Sequence, residues 1–372
     1  MPHQQIIRHP PDRNGVVGTA ESLQLIQQPA FRGLEQRVLQ TPLLGTAFPG
    51  GRIAELRTNT LSDLWIVGDL HGDLPAMINI WRYASSESFR AGLQPGLLFL
   101  GDFIDRGMYS SECLQFLFWL IVHNPGAIGI IPGNHDVSLT YDPEHGFRSR
   151  VTPAEYAASL KNSAAGSLWN RYSQNCSIAH TAIELFRRCP AAVITSDGTL
   201  FSHGGVPHVD LHPRIRSFED LSMAPCVEDF TWLRLNTTAP KKRPNRHNPG
   251  CEFGGDDFDQ FCRLSVNLQN PVRQLVRGHD HHPQRYQIHS TTAGAGILTL
   301  NSMGHWLPDE QANSPAPLPC IGRYVYGRLP EVHQVPMPQP ADLSFAQDQP
   351  AMTEQTRSDL RHFSIDRGLS HA

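Results

Sequence analysis

Three apolar runs in the first half of the chain each end in a glycine followed at once by polar residues. The runs are LWIVGD from Leu64, GLLFLGDF from Gly96 and AIGIIPGNH from Ala127. Segments with helical spacing, PAMINIWRYA and SSECLQFLFWLIVH, lie between them. Short continuous apolar runs are typical of buried strands, and strands that alternate with helices indicate βαβ units with a largely parallel sheet. We therefore expect an α/β fold, with Ser110 or Ser111 as the N-cap of the second helix.

The rest of the chain adds strands without an obvious linker. AAVITSD and TLFSHGG are predicted to pair through a turn at Asp197-Gly198, and QLVRGHD, RYQIHS and GILTLNS are predicted as further strands. FDQFCRLSV has the spacing of a helix. We expect an N-terminal flank over residues 1–60 and one catalytic domain over 61–306. A Pro-rich C-terminal flank over 307–372 could add a final strand.

Composition and charge exclude several classes of protein. The net charge of -4 on 372 residues gives no basic field for nucleic acid. The seven cysteines are scattered without CxxC pairs, which fits reduced thiols in a cytoplasmic protein. The N-terminal residues lack the apolar region of a signal peptide, and the stretch from Cys113 to Val122 is too short to span a bilayer. We predict a cytoplasmic location and no nucleic-acid or membrane partner, and the sequence does not indicate an oligomeric state.

The polar residues that follow the strands are suited to metal ions and phosphate. Sites in open α/β sheets form at the carboxyl ends of strands. The donors there are carboxylates, imidazoles and an amide oxygen without a thiolate, a set that suits Mn, Fe or Zn. A carboxylate such as that of Asp102 could bridge two ions, and such a pair activates water and holds the oxygens of an in-line displacement. A nearby arginine would bind phosphate bidentately.

Five motifs in a fixed order resemble one family. GDLHG, GDFIDRG, GNHD, HGG and RGHD resemble the motifs of the phosphoprotein phosphatases, a family of calcineurin-like metallophosphatases, and the chain resembles their bacterial-type Ser/Thr protein phosphatases. The resemblance covers roughly Leu64 to Gly304. It implies a sandwich of two mixed β-sheets flanked by helices. It also implies a hydrolase that acts on phosphoric monoesters, with a phosphoprotein or another phosphomonoester as substrate and two divalent ions, Mn first and Fe or Zn as alternatives.

The resemblance also implies a role for each motif residue. A water or hydroxide that bridges the two ions would attack phosphorus directly, without a phosphoenzyme. Asp69 and His71 would hold the first ion, Asp102 would bridge both, and Asn134, His203 and His279 would hold the second. His135 would protonate the leaving oxygen with Asp105 as its orienting partner, and the phosphate would be bound by Arg106, Asn134 and a second arginine, predicted as Arg246.

Two alternatives and several ordinary interpretations stay open. The chain could be a dinucleoside polyphosphate hydrolase, although that group resembles GDLVARG at the second motif and lacks the acid that Asp105 supplies. It could also be a non-catalytic binding protein on a phosphatase fold. Asp136 is expected to be a cap or hydrogen-bond partner, and His281 and His282 are interpreted as loop residues.

Overall fold

The structure is a computed structural model that describes residues 16–47, 51–56, 63–162, 169–210, 215–239, 243–244, 251–307, 310 and 316–338. Its helices are α1 (Thr19–Ile26), α2 (Glu35–Val38), α3 (Leu74–Arg90), α4 (Ser110–His123), α5 (Asn134–Ser138), α6 (Glu155–Asn162), α7 (Trp169–Arg188), α8 (Ala224–Trp232) and α9 (Gly255–Asn267). Its strands are β1 (Thr46–Ala47), β2 (Ile53–Leu56), β3 (Asp63–Val67), β4 (Pro95–Phe99), β5 (Ile128–Ile130), β6 (Thr140–Asp142), β7 (Gly146–Arg148), β8 (Ala192–Thr195), β9 (Thr199–Ser202), β10 (Arg234–Leu235), β11 (Arg243–Pro244), β12 (Cys251–Phe253), β13 (Gln274–Arg277), β14 (Tyr286–Ser290), β15 (Gly296–Leu300), β16 (Cys320–Val325) and β17 (Arg328–Gln334).

Two mixed β-sheets form the centre of the fold. The larger has the order β1-β2-β8-β9-β13-β15-β14, and the smaller has the order β17-β16-β3-β4-β5. Strands β3, β4 and β5 are parallel, as are β9, β13 and β15, while β14 and β16 run antiparallel to their neighbours. The predicted fold class, two mixed sheets flanked by helices, is confirmed. The hairpin predicted at Asp197-Gly198 is also present, since β8 pairs antiparallel with β9.

The core between the two sheets is apolar and almost completely buried. Ile66 and Leu98 of the smaller sheet belong to the same buried cluster as Phe201 and Val276 of the larger one, and each is at most 1% exposed. Burial of one such side chain contributes about 1.5–3 kcal/mol, so this layer supplies much of the stability that holds the strand ends in place. A second buried cluster lies where α8 and α9 cover the larger sheet and includes Phe230 and Phe258.

The start of α4 differs from the expectation. The N-cap residue is Tyr109, with no capping hydrogen bond from its side chain, so the assignment of Ser110 or Ser111 as N-cap was wrong. The two serines serve tertiary contacts instead. The Ser110 hydroxyl accepts from the backbone N–H of Asp105 at 3.1 Å. Ser111 and the hydroxyl of Tyr156 are 3.2 Å apart.

Strands from both predicted flanks join the central sheets. Strand β2 pairs in parallel with β8, and β16 pairs antiparallel with β3. These strands lie outside residues 61–306 but complete the sandwich. The domain limits stay a prediction, and residues 339–372 of the C-terminal flank lie outside the described part of the chain.

Candidate metal centre

The segments that directly follow five central strands carry the six predicted metal ligands. Asp69 and His71 follow β3, and Asp102 follows β4. The other three follow β5, β9 and β13 and are Asn134, His203 and His279. All six residues are at most 5% exposed. A carboxylate or imidazole buried to this degree needs a charge, a hydrogen bond or a metal ion to compensate its burial. The distances between the six residues show which of them can share such a partner.

One group of donor atoms converges on Nε2 of His203. That atom lies 3.1 Å from Oδ1 of Asn134 and 3.2 Å from Nδ1 of His279. Oδ2 of Asp102 is 3.4 Å away. Two imidazoles, a carboxylate and an amide oxygen therefore meet at one point, and this is the set predicted for the second ion.

A neighbouring group shares the same carboxylate. Oδ2 of Asp102 is 3.6 Å from Nε2 of His71. That nitrogen is buried and has no hydrogen-bond partner among the described residues. Asp69 and His71 each place a ligand atom within 4.8 Å of the other and of His281. Since Oδ2 of Asp102 faces both groups, this carboxylate is positioned as a shared ligand.

Backbone carbonyls set the orientation of the three imidazoles. Nδ1 of His71 lies 3.0 Å from the carbonyl of Ile104, and Nδ1 of His203 lies 2.7 Å from that of Leu100. Nε2 of His279 lies 3.2 Å from the carbonyl of Trp232. A carbonyl only accepts, so each of these nitrogens carries a proton, and the other nitrogen is the one that faces the cluster and can ligate once it carries no proton. This arrangement is typical of histidine ligands to metals.

The electrostatic environment also suits cations. Burial by itself would lower the pKa of His203, but Asp102 and then Asp69 outweigh it and raise that pKa to about 9, so a divalent ion would take the place of the proton on its Nε2. For His71 and His279, burial dominates and lowers the pKa well below the usual value, so both imidazoles are neutral and able to ligate. Burial opposes ionisation of Asp102, yet the adjacent histidines hold its pKa well below the normal range. The donor set, the lone pairs and the charge thus fit two divalent ions.

A second pair of residues lies beside the ligands. Nδ1 of His135 is 2.7 Å from Oδ2 of Asp105, and the backbone N–H of His135 donates to Oδ1 of Asp102 at 2.9 Å. The other carboxylate oxygen of Asp105 accepts from the backbone N–H of Tyr156, in the first turn of α6, at 2.9 Å. Both oxygens of Asp105 are therefore engaged, which fixes the carboxylate and the ring that it faces.

Arg106 and His281 contact each other at the edge of the site. Nη1 of Arg106 lies 3.1 Å from Nδ1 of His281, and Nε2 of His281 lies 3.2 Å from Oδ2 of Asp69. Because a guanidinium only donates, Nδ1 of His281 accepts here and its Nε2 donates to the carboxylate. His281 was interpreted as an ordinary loop residue. It does lie in a loop, but its ring reaches the candidate centre, and its spacing of two residues from His279 is the signal that could have indicated this.

Three further residues support the site, and of these only Asp136 had a predicted role, as a cap or hydrogen-bond partner. Asp136 accepts from the backbone N–H groups of Asp102, Phe103 and Gly133 at 2.7–3.0 Å. Burial, and then the charge of Asp102, raise the pKa of Asp136 to about 7. The expectation that Asp136 is a hydrogen-bond partner agrees with these contacts. Asp280 and Arg234 form an ion pair next to His279, with Oδ1 and Nη1 at 2.9 Å. The predicted phosphate ligand Arg246 lies outside the described residues.

The backbone of these loops is unusual in two ways. Among the described residues, seven non-glycine residues have a positive φ, and five belong to the site: His71, Asp102, Asp105, Arg106 and His279. A Cβ added to Gly133 would lie 2.1 Å from Oδ1 of Asp102, and one added to Gly278 would lie 2.2 Å from Oδ1 of Asp69. Each glycine therefore lets backbone pass directly against a ligand carboxylate.

Comparison with known proteins places this geometry in context. A family model described as calcineurin-like phosphoesterase matches residues 63–283. The chain is similar to the serine/threonine-protein phosphatase PP2A-like PPG1 of Candida albicans, with 27% identity over 223 residues, 59% of this chain and 47% of that protein. It is also similar to serine/threonine-protein phosphatase T of Saccharomyces cerevisiae, with 26% identity over 235 residues, 61% of this chain and 40% of that protein. The chain thus spans about half the length of the curated relatives it matches.

A solved structure supports the fold. It is a protein serine/threonine phosphatase from Saccharomyces cerevisiae with similarity to human phosphatase PP5, and it aligns with a TM-score of 0.55 and 19% identity. The alignment covers 84% of this chain and 89% of that one. In the part of the chain that the structure describes, no helix combines the length and hydrophobicity needed to cross a membrane.

Proposed function

The chain belongs to the calcineurin-like phosphoesterase family, and from this membership we propose that it is a metal-dependent phosphomonoesterase that dephosphorylates serine and threonine in proteins. The observation that carries the proposal is the position of Asp102. Its carboxylate faces His71 on one side and His203 on the other, while the His135–Asp105 pair lies next to it. A shared metal ligand beside a candidate general acid is suited to phosphoester hydrolysis.

The residues that would hold the ions follow from the two donor groups. Asp69, His71 and Asp102 would hold the first ion, with His281 as a further candidate if its Nε2 gives up its proton. Asp102, Asn134, His203 and His279 would hold the second. Such ions lower the pKa of water and offset the charge of phosphoryl oxygens. We propose Mn²⁺ as the first choice, with Fe or Zn as alternatives, because the donors are nitrogen and oxygen only.

The side chains of the protein have separate tasks in this proposal. His135 holds a proton for the leaving oxygen of the substrate, and Asp105 fixes the ring by accepting from Nδ1. Asn134 contributes a neutral oxygen, which limits the negative charge near a phosphate dianion. Arg106 binds phosphoryl oxygens through its guanidinium, and Arg246 stays a proposal for a second contact.

The names of the relatives support the substrate class. Two of them are serine/threonine-protein phosphatases, which suggests phosphoserine and phosphothreonine in proteins. The six cysteines whose side chains are described are all free thiols, which fits a cytoplasmic enzyme.

A parallel assay tests this function. Protein loaded with Mn²⁺ is offered an aryl phosphate, phosphoserine, phosphothreonine and phosphotyrosine peptides, and a dinucleoside tetraphosphate, with metal-free protein as the control. We expect monoester hydrolysis that depends on the ion, with the Ser/Thr peptides preferred. Hydrolysis of the tetraphosphate alone would favour the polyphosphate hydrolase. Tight binding of phosphopeptides without turnover, at two ions per chain, would favour the non-catalytic alternative.

Replacing Arg106 with alanine is expected to weaken phosphate binding. Loss of charge-assisted hydrogen bonds should lower kcat/KM for an aryl phosphate by roughly 10- to 100-fold and raise the inhibition constant of inorganic phosphate. Arg106→Lys should recover only part of this loss, because lysine keeps the charge but not the planar fork. Arg90→Ala is the control, since Arg90 is exposed and pairs with Glu87 on α3. An unchanged kcat/KM in Arg106→Ala would exclude the role.

A further inference from the structure

The loop between β4 and α4 holds two consecutive residues in an unfavourable backbone conformation. Asp105 and Arg106 have φ 65 and φ 63. Residues with a Cβ adopt this left-handed conformation at a cost, and they keep it where surrounding contacts hold them there. One such contact comes from the start of α4, since the backbone N–H of Asp105 donates to the hydroxyl of Ser110 at 3.1 Å. The remaining support comes from a segment far away in the sequence.

The first turn of α6 contacts both residues of this loop. Oε2 of Glu155 accepts from the backbone N–H of Arg106 at 3.2 Å, and the backbone N–H of Tyr156 donates to Oδ1 of Asp105 at 2.9 Å. The first N–H groups of a helix have no acceptor within the helix, so the N–H of Tyr156 is available for a carboxylate. Two adjacent residues of α6 therefore hold two adjacent residues of the loop.

The first turn of α6 is itself anchored in the fold. The side chain of Tyr156 belongs to a residue that is 4% exposed, and its hydroxyl lies 3.2 Å from Oγ of Ser111 in the first turn of α4. Leu160, one turn further along α6, is 2% exposed. Glu155 is exposed, so its side chain adds nothing to the core. The contact between Glu155 and Arg106 is thus separate from the packing that holds the helix.

The two contacts act on different parts of the proposed reaction. Oδ2 of Asp105 faces Nδ1 of His135 at 2.7 Å, so the N–H of Tyr156 bears on the group proposed to protonate the leaving oxygen. The guanidinium of Arg106 is proposed to bind phosphoryl oxygens, so Glu155 bears on phosphate binding. A position error of about 1 Å is enough to slow such a reaction strongly.

We infer that Glu155 and Tyr156 are positioning residues, Glu155 for Arg106 and Tyr156 for the pair of Asp105 and His135. The inference rests on the proposed function. The alternative is that the first turn of α6 only stabilises the fold. In that case a change at either residue would alter phosphate affinity and the rates on all substrates together. Positioning predicts instead that the two residues affect different measured quantities.

Glu155→Ala tests the contact with Arg106. Calorimetry with inorganic phosphate on Mn²⁺-loaded protein should show a dissociation constant about 3- to 10-fold higher, because one hydrogen bond that holds the Arg106 backbone is lost. The loss in kcat/KM should be equal for an aryl phosphate and a phosphoserine peptide. Glu155→Gln keeps an acceptor oxygen and should restore most of the affinity. Glu144→Ala is the matched control, since Glu144 is exposed in the β6–β7 turn.

Tyr156→Ala tests the contact with Asp105. Loss of the buried ring releases the first turn of α6, so kcat on a phosphoserine peptide should fall about 10-fold, and by less on an aryl phosphate, which needs no proton to leave. Phosphate affinity should stay near the native value. Tyr156→Phe keeps the ring and should keep the native ratio of the two rates. Leu160→Ala is the matched control, because it removes a buried side chain of the same helix and should lower the melting temperature without changing that ratio.

Metal content and melting temperature are measured on every variant, and rates are compared at two ions per chain. Native phosphate affinity in Glu155→Ala, or a native ratio of the two rates in Tyr156→Ala, would overturn the role of that residue. Parallel losses of affinity and of both rates in Glu155→Ala, Tyr156→Ala and Leu160→Ala would overturn the inference as a whole. A native protein that hydrolyses neither ester would contradict the proposed function and the role of Tyr156, while weaker phosphate binding in Glu155→Ala would still support the role of Glu155.

Discussion

Replacing Asp102 with asparagine is expected to abolish metal pairing and reduce kcat/KM by on the order of 10⁴-fold or more, because one carboxylate serves both donor groups. Asparagine is the informative substitution at this position. Asp102 has φ 54, a conformation that asparagine tolerates better than most residues, and an amide oxygen can still accept from the backbone N–H of His135. The change therefore removes charge with little disturbance of the backbone. Metal content by mass spectrometry and turnover of an aryl phosphate measure the two effects.

Asp142→Asn provides the control for this substitution. Asp142 is a partly exposed acid paired with His145 in the β6–β7 hairpin, and its loss should leave two ions and normal turnover. Asp102→Ala extends the series, since it removes the oxygens entirely and should bind at most one ion. Two ions at full occupancy in either Asp102 variant would mean that the carboxylate is not shared.

The second large effect is expected for His135. His135→Ala should keep both ions and slow turnover by about 10²–10⁴-fold, the usual range for a lost general acid. The loss should be greater for a phosphoserine peptide than for an aryl phosphate, because an aryl oxide leaves readily without a proton and a serine alkoxide does not. Comparison of kcat for the two substrates measures this difference.

The control histidine is His145. It is exposed and hydrogen-bonded to Asp142, so His145→Ala should leave the rate on both substrates unchanged. Asp105→Asn should produce part of the His135 effect, since it weakens the contact that orients the ring. If His135→Ala slowed both substrates equally, or lost an ion, the residue would be a structural or metal-binding group and not the acid.

The centre of the fold could be predicted because its strands leave a strong local pattern. Strands β3 and β4 are buried at every position, and such strands appear in the sequence as continuous apolar runs. Polar residues directly after such runs are easily recognised because they contrast with the apolar residues before them. The six expected ligands lie together in the structure. Asp69 follows β3 of the smaller sheet and His279 follows β13 of the larger one, so the packing of the two sheets is also needed to bring these residues together.

What could not be predicted depends on contacts between distant segments. The hydrogen bond from Tyr156 to Asp105 joins residues 51 positions apart, and no local pattern indicates that α6 begins there. Arg234 contacts Asp280, 46 positions later, and the same carboxylate also contacts Arg277. Serine is a favoured N-cap residue, but the hydroxyl of Ser110 accepts a hydrogen bond from the backbone N–H of Asp105 instead. For Ser110 a tertiary contact outweighed a local preference, and for the other two contacts the sequence carries no local signal.

The left-handed backbone at five site residues has a consequence for any attempt to engineer this protein. Each such residue costs about 1–3 kcal/mol that glycine at the same position would not incur. A library selected only for heat resistance should therefore accumulate glycine at positions such as His71, Asp105 and His279. Thermal stability and catalytic activity therefore make opposite demands on the same positions. Variants from such a library should be screened for turnover before any of them is kept.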